Sequence, residues 1–139
     1  MLDRVISIET NIKKMENLTI ASTNHTPEVD FKVNGNLKLE GRSYPENADK
    51  FYIPLIEFAS ELSADHIIFD SSLDYINTAS SKILFSLMQL LDEKEDFLSV
   101  QVNWHYEEGD EDSIETAEIY EDSLERVKFT YNEYADLNA

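Results

Sequence analysis

The sequence contains no cysteine and only three glycines and three prolines among its 139 residues. The absence of cysteine excludes a disulfide scaffold, a thiolate nucleophile and a zinc site with cysteine ligands. So few glycines leave no glycine-rich loop for a phosphate group, and no serine lies in a G-x-S-x-G nucleophile motif. We therefore expect no bound cofactor and no catalytic or metal-ligating residue in a common motif.

Basic residues are also scarce, because 11 lysines and arginines stand against 29 aspartates and glutamates, which gives a net charge of −18. This charge opposes binding to nucleic acid and to anionic lipid, and it favours a basic partner. No apolar run approaches the roughly 20 residues that span a bilayer. The first residues lack the basic and apolar regions of a signal peptide. We expect a cytoplasmic protein that neither binds nucleic acid nor inserts into a membrane.

The chain is hydrophobic enough for one core, since 42% of its residues are apolar and 11% are aromatic. Apolar residues at three- and four-residue steps predict a short amphipathic helix at the N-terminus: Leu2, Val5, Ile8, Ile12 and Met15. Alternatively, translation starts at Met15 and the preceding residues are an upstream extension. We therefore divide the chain into residues 1–14, an extension or short helix, and residues 15–139, a single domain.

Alternation of apolar and polar residues predicts most of the strands. The predicted strands lie around residues 18–20, 29–33, 37–39, 65–70, 98–106 and 127–131. Asn34-Gly35 predicts a hairpin, because both residues tolerate the positive φ of a type I′ turn. The continuous apolar run Ile67-Ile68-Phe69 predicts a buried central strand.

Helical spacing predicts three helices between these strands. The first ends near Ser63, with Pro54 either in its first turn or at a kink. The second carries its apolar face on residues 83–91 and is capped by Asn77 or Thr78. A short helix is expected within residues 107–122. Because most strands have one apolar face, this order favours an α/β (α+β) fold, a mixed sheet with its helices packed mainly on one face.

Two stretches contain candidate functional residues. Residues 75–82 place four hydroxyl side chains around the start of a helix, where a phosphate is stabilised, and Lys82 follows Thr78 by one turn. On spacing alone, an ordinary helix cap is the better explanation. Residues 107–122 hold nine acidic residues and no basic one. This acidic stretch is a solvated face, a docking surface for a basic partner, or a metal site of a metal-binding protein or metal-dependent hydrolase.

Five sequence blocks are similar to the SiaC family of bacterial regulatory phosphoproteins. The blocks are Thr26-Pro27-Glu28, Gly41-Arg42-Ser43-Tyr44-Pro45-Glu46-Asn47, Phe51-Tyr52-x-Pro54, Tyr75-x-Asn77-Thr78-x-Ser80-Ser81-Lys82 and Val102-x-Trp104-x-Tyr106. The resemblance extends in order from about Met15 to Tyr131. It implies a single domain of the STAS-like type, the fold of anti-sigma-factor antagonists.

The resemblance also implies a partner-switching function without enzymatic activity. In this family, a kinase related to anti-sigma-factor kinases phosphorylates a threonine, and a PP2C-type phosphatase removes the phosphate. The unphosphorylated form binds and activates a diguanylate cyclase, which links the switch to cyclic-di-GMP signalling and biofilm formation. By position in the motif, the phosphorylated residue is Thr78. The resemblance implies partner binding by the surrounding residues Arg42, Ser43, Tyr44, Glu46, Asn47, Tyr75, Asn77, Ser80, Ser81 and Lys82.

Overall fold

The computed structural model describes residues 15–136, in which six strands form one mixed sheet and three helices pack against it. The helix predicted at the N-terminus lies outside the described residues, apart from Met15. The elements are β1 (Leu18–Ile20), β2 (Glu28–Phe31), β3 (Asn36–Ser43), α1 (Ala48–Glu61), β4 (His66–Ile76), α2 (Thr78–Glu93), β5 (Ser99–Glu107), α3 (Glu111–Ser123) and β6 (Val127–Tyr134). None of the helices in this part of the chain has both the length and the apolarity to cross a membrane.

The strands lie in the sheet in their chain order, from β1 to β6. β1–β2 and β2–β3 are antiparallel pairs, whereas β3–β4, β4–β5 and β5–β6 are parallel and each joined by a helix. Because such connections are right-handed and all proceed in one direction, the three helices lie on one face. That face holds the buried residues of the central strands, including Leu39, Phe69 and Val102. The predicted architecture is confirmed.

The predicted hairpin forms between β2 and β3, but its turn differs from the type I′ prediction. Lys32 N donates to Asn36 O at 2.9 Å, and Gly35 N donates to Lys32 O at 3.1 Å. Gly35 has a φ of 102°, whereas Asn34 has a negative φ. This is a three-residue hairpin loop closed by a glycine. Gly35 also permits close packing, because a Cβ there would lie 2.3 Å from the carbonyl oxygen of His66.

The central strand β4 differs from its prediction in length and burial. It extends over eleven residues, from His66 to Ile76, rather than ending near Asp70. Ile67 and Phe69 are buried, but Ile68 is 41% exposed, so the strand is buried on one face only. The apolar run did not reveal this, because burial of Ile68 requires structure packed on the outer face of the sheet, whereas the described helices lie on the inner face.

The helix boundaries follow their capping residues. Asn47 Oδ1 accepts a hydrogen bond from Lys50 N at 3.0 Å, so α1 begins at Ala48. Pro54 consequently lies inside the helix rather than in its first turn. Asn77 caps α2 and is one of the two capping residues that the sequence predicted. The predicted acidic helix corresponds to α3, which Asp110 caps.

Candidate functional site

The two sequence blocks with the most candidate residues form one continuous surface at the ends of β3 and β4. Arg42 pairs with Tyr75 and Ser43 pairs with Ile76 across these parallel strands. The backbone N–H of Asn77 then donates to the carbonyl oxygen of Ser43 at 2.9 Å. We call residues 42–47 and 75–82 the junction surface, because they join the end of the sheet to the start of α2.

Thr78 is the first residue of α2, and its side chain is exposed. The cap fixes the backbone on both sides of it, because Asn77 Oδ1 accepts from Ser80 N and Asn77 O accepts from Ser81 N, each at 2.9 Å. Among the described residues, no group forms a hydrogen bond with the Thr78 hydroxyl. Thr78 therefore combines a fixed backbone with an exposed hydroxyl that no described group engages.

Two of the predicted partner-binding serines lie beneath the junction surface. Ser43 and Ser80 are both fully buried. Ser43 Oγ is 2.8 Å from Tyr52 Oη, and burial raises the pKa of the Tyr52 hydroxyl. Ser80 Oγ has no hydrogen-bond partner within residues 15–136. Direct partner contact by these two side chains therefore does not fit the structure, because both are fully buried.

Ser81 connects the start of α2 to the acidic helix α3. Its Oγ is 2.8 Å from Tyr120 Oη, and the Tyr120 hydroxyl also lies 2.6 Å from the Ser81 carbonyl oxygen, to which it donates. Burial raises the pKa of Tyr120 to about 12, so the hydroxyl is neutral and can donate at physiological pH. The Tyr120 ring contacts Trp104 edge-on, with 5.9 Å between centroids. These contacts hold the first turn of α2 against β5 and α3.

A tyrosine–arginine cluster lies on the junction surface, where Arg42, Tyr44 and Tyr75 meet His25 from the loop after β1. The Arg42 guanidinium lies 5.2 Å from the Tyr44 ring centroid and 5.9 Å from that of Tyr75. The two tyrosine rings are 5.6 Å apart, and His25 contacts Tyr44 edge-on at 5.1 Å. Tyr75 is 49% exposed. Such a group of arginine and tyrosine side chains is typical of the energetically important centre of a protein interface.

His25 was not a candidate from its own sequence context, in which it is an ordinary loop residue. Its backbone carbonyl accepts from Tyr44 N at 2.8 Å, which brings the loop after β1 to the junction surface. The signal that could have found it is the adjacent block Thr26-Pro27-Glu28, one of the five that resemble the SiaC family.

Arg42 and Lys82 are exposed cations at this surface, and neither forms an ion pair with a described residue. The ion pairs in residues 15–136 are Lys38 with Glu40 and His105 with Asp70. The remaining predicted residues, Glu46 and Asn47, are exposed in the loop before α1. The junction surface is therefore a small site with free cations on a strongly acidic protein.

The acidic stretch borders the junction surface on one side. A small pocket of about 150 Å³ lies between Tyr75 and Ile76 and the start of α3, where Asp110 and Asp112 line it. Within the described residues, no three acidic or histidine side chains are arranged to hold a metal ion. The metal-binding alternative therefore lacks a ligand set there. Another groove, of about 730 Å³ between Met15 and Glu57, is lined by none of the junction-surface residues.

Comparisons with known proteins identify the family. The family described as "SiaC family regulatory phosphoprotein" matches residues 20–134. This chain belongs to the SiaC family. An uncharacterised protein of Pseudomonas aeruginosa strain UCBPP-PA14 is 32% identical over 112 residues, which cover 76% of this chain and 88% of the relative. The family to which this chain belongs is one of regulatory phosphoproteins and not of enzymes.

Solved structures agree with this assignment and confirm the STAS-like fold. SiaC of Pseudomonas aeruginosa is 28% identical with a TM-score of 0.73, and the match covers 88% of this chain and 100% of that protein. A crystal structure of the Pseudomonas aeruginosa diguanylate cyclase SiaD in complex with its activator SiaC also matches. There the identity is 29% and the TM-score 0.76, over 84% of this chain and 99% of the matched chain. In that complex, SiaC is the activator of the cyclase SiaD.

Proposed function

We propose that this protein is switched by reversible phosphorylation of Thr78, and that its unphosphorylated form binds and activates a diguanylate cyclase. The observation that carries this proposal is the exposed, rigidly held and unbonded hydroxyl of Thr78 in the motif that the family shares. The complex of the relative SiaC with the cyclase SiaD supports the choice of partner. The output would be cyclic-di-GMP signalling and biofilm control.

A protein with this role needs little chemistry of its own. In phosphoryl transfer, the kinase supplies ATP, Mg²⁺ and the group that accepts the proton of the substrate hydroxyl. The substrate supplies only an accessible hydroxyl in a fixed position. The proposed enzymes are a kinase related to anti-sigma-factor kinases and a PP2C-type phosphatase, which act on Thr78 in opposite directions.

Phosphorylation can block partner binding without refolding the domain. A phosphate adds about −1.5 to −2 charges at neutral pH. If a partner covers this group without a cationic contact, its loss of hydration costs several kcal/mol. A loss of about 3 kcal/mol weakens binding about a hundredfold, which is sufficient for a switch. The tyrosine–arginine cluster beside Thr78 supplies the surface that the cyclase would contact in the unphosphorylated state.

The proposal is tested by phosphorylation followed by a binding assay. The full chain is incubated with ATP, Mg²⁺ and lysate from its own host, and the product is mapped by intact-mass and peptide mass spectrometry. We expect one phosphate on Thr78, which a manganese-dependent phosphatase removes. Binding to the host's diguanylate cyclase is then measured by calorimetry, and we expect about a hundredfold weaker binding after phosphorylation.

Two threonine variants provide the matched comparison. Thr78→Ala should abolish phosphorylation and retain cyclase binding, because the alanine leaves the junction surface otherwise unchanged. Thr130→Ala is the control, since Thr130 is also exposed but lies on the outer face of the sheet. This variant should be phosphorylated normally. Full phosphorylation of Thr78→Ala, or equal cyclase binding by both forms, would contradict the proposal.

A further inference from the structure

We propose that a phosphate on Thr78 is held by Lys82 and Arg42 of the same chain, and that this contact withdraws Arg42 from the rings of Tyr44 and Tyr75. The inference rests on the phosphorylation proposed above and adds which side chains of the same protein bind the phosphate. Phosphorylation would then change the shape of the junction surface as well as its charge.

The first argument is that these two cations are not engaged by carboxylates. Some other cations of the described chain do have fixed partners: Lys38 Nζ is 2.8 Å from Glu40, and Lys94 Nζ donates to the Leu62 carbonyl oxygen at 2.7 Å. Arg42 and Lys82 form no ion pair within residues 15–136, although acidic residues are abundant. Their donors are consequently available to a new anion.

The second argument is the spacing of Thr78 and Lys82 within α2. Residues four positions apart lie on the same face of a helix, with about 5–6 Å between their Cβ atoms. An acidic group that precedes a lysine by four residues is in the more favourable of the two orientations. Both side chains are exposed, so a phosphate on Thr78 can approach the Lys82 ammonium without displacing a neighbour.

The third argument is the position of Arg42 in β3. It pairs with Tyr75, three residues before Thr78, and the hydrogen bond from Asn77 N to Ser43 O keeps the two segments adjacent. Within residues 15–136, its guanidinium interacts with ring faces and with no carboxylate. A bidentate, charge-assisted contact with phosphate is stronger than an exposed cation–π contact. We therefore expect Arg42 to exchange the rings for the phosphate.

The contact is tested on the full chain with phosphothreonine inserted at position 78 during translation. A ³¹P NMR titration measures the midpoint at which the phosphate loses its second proton. Nearby cations lower this midpoint, so we expect it to rise by about 0.3 pH units in Lys82→Gln and in Arg42→Gln. The carboxylates on neighbouring elements, Asp74, Asp110 and Asp112, act in the opposite direction but are the same in every variant.

Lys128→Gln is the matched control, because it removes one exposed positive charge from the outer face of the sheet. This variant should titrate like the wild-type protein, and Lys82→Arg should restore the wild-type midpoint. A second readout is the ring proton signals of Tyr44 and Tyr75. These should shift when phosphate is present on the wild-type protein, but not on the Arg42→Gln variant.

Equal midpoints in all variants would overturn the inference. A rise in Lys82→Gln alone, with unchanged tyrosine signals, would overturn the part concerning Arg42. Because translation places the phosphate at position 78, neither result depends on which residue the host kinase modifies. A failure of the intramolecular contact is thus distinguished from a failure of the proposed phosphorylation, which mass spectrometry detects separately.

Discussion

The two ends of α2 use charged residues in opposite ways. At its C-terminal end, the buried carboxylate of Asp92 accepts hydrogen bonds from the backbone N–H groups of Glu125, Arg126 and Val127, at 3.1, 2.6 and 3.0 Å. At its N-terminal end, the Lys82 ammonium is exposed and has no ionic partner among the described residues. The first arrangement fixes the start of β6, whereas the second leaves a charge accessible.

Two cations, Arg126 and Lys94, complete the arrangement at the C-terminal end of α2. The Arg126 guanidinium donates to the carbonyl oxygens of Asp92 and Lys94, at 3.1 and 3.0 Å, and also to that of Phe97. Lys94 Nζ donates to the carbonyl oxygens at the end of α1, including that of Ser60 at 2.7 Å. These charges replace water at unpaired backbone groups and connect α1, α2 and β6. The comparison teaches that charge supports the fold at one end of α2 and remains available for recognition at the other.

The largest expected effect is that of Asp92→Ala. Loss of the carboxylate removes the partner of three N–H groups, of which that of Val127 is buried and those of Glu125 and Arg126 are partly buried, and an unsatisfied buried group costs about 1–3 kcal/mol. We expect the free energy of unfolding to fall by about 3 kcal/mol or more, measured by urea denaturation. Glu93→Ala is the control, because Glu93 is the exposed neighbour with the same charge, and it should change stability by less than about 0.5 kcal/mol. Similar free energies of unfolding for the two variants would show that the Asp92 carboxylate does not support the fold, and the contrast between the two ends of α2 would be wrong.

A smaller effect is expected for Tyr120→Phe, which loses both contacts with Ser81 near the N-terminal end. We expect the free energy of unfolding, measured by urea denaturation at neutral pH, to fall by about 1–2 kcal/mol. The hydroxyl and carbonyl groups of Ser81 lose their hydrogen-bond partner, whereas the ring stays in place. Phosphorylation at Thr78 should be retained, since Asn77 still caps the helix.

The same residue predicts a pH dependence. The pKa of Tyr120 is raised from 10.0 to about 12 in the folded protein, so folding favours the protonated hydroxyl. Its contribution is fully present below pH 10 and is lost as the pH rises towards 12. The difference in stability between wild type and Tyr120→Phe should therefore shrink over that range, as measured by urea denaturation at each pH. If the difference in stability between the two proteins stayed constant up to pH 12, burial would not raise the pKa of Tyr120 as stated.

The contrast between the two ends also explains what the sequence could predict. The start of α2 was predictable, because a cap such as Asn77 acts on residues within one turn of itself. The C-terminal arrangement was not, since Asp92 and Arg126 are 34 residues apart and only the packed sheet brings them together. Likewise, the position of Thr78 followed from a local motif, but the burial of Ser80 depends on which face of α2 meets the sheet.

The smallest effect on stability is expected for Lys82→Gln, and it sharpens the comparison most. Lys82 lies in the N-terminal part of α2, where a positive charge opposes the helix dipole. In the unphosphorylated protein, the free energy of unfolding should change by less than about 0.5 kcal/mol, measured by urea denaturation, with any change being a gain. With phosphate on Thr78, the sign should reverse, because the variant loses the phosphate–ammonium contact. A lysine that stabilises only the phosphorylated form is a sensor of modification, whereas one that stabilises both forms is part of the fold, as Lys94 is.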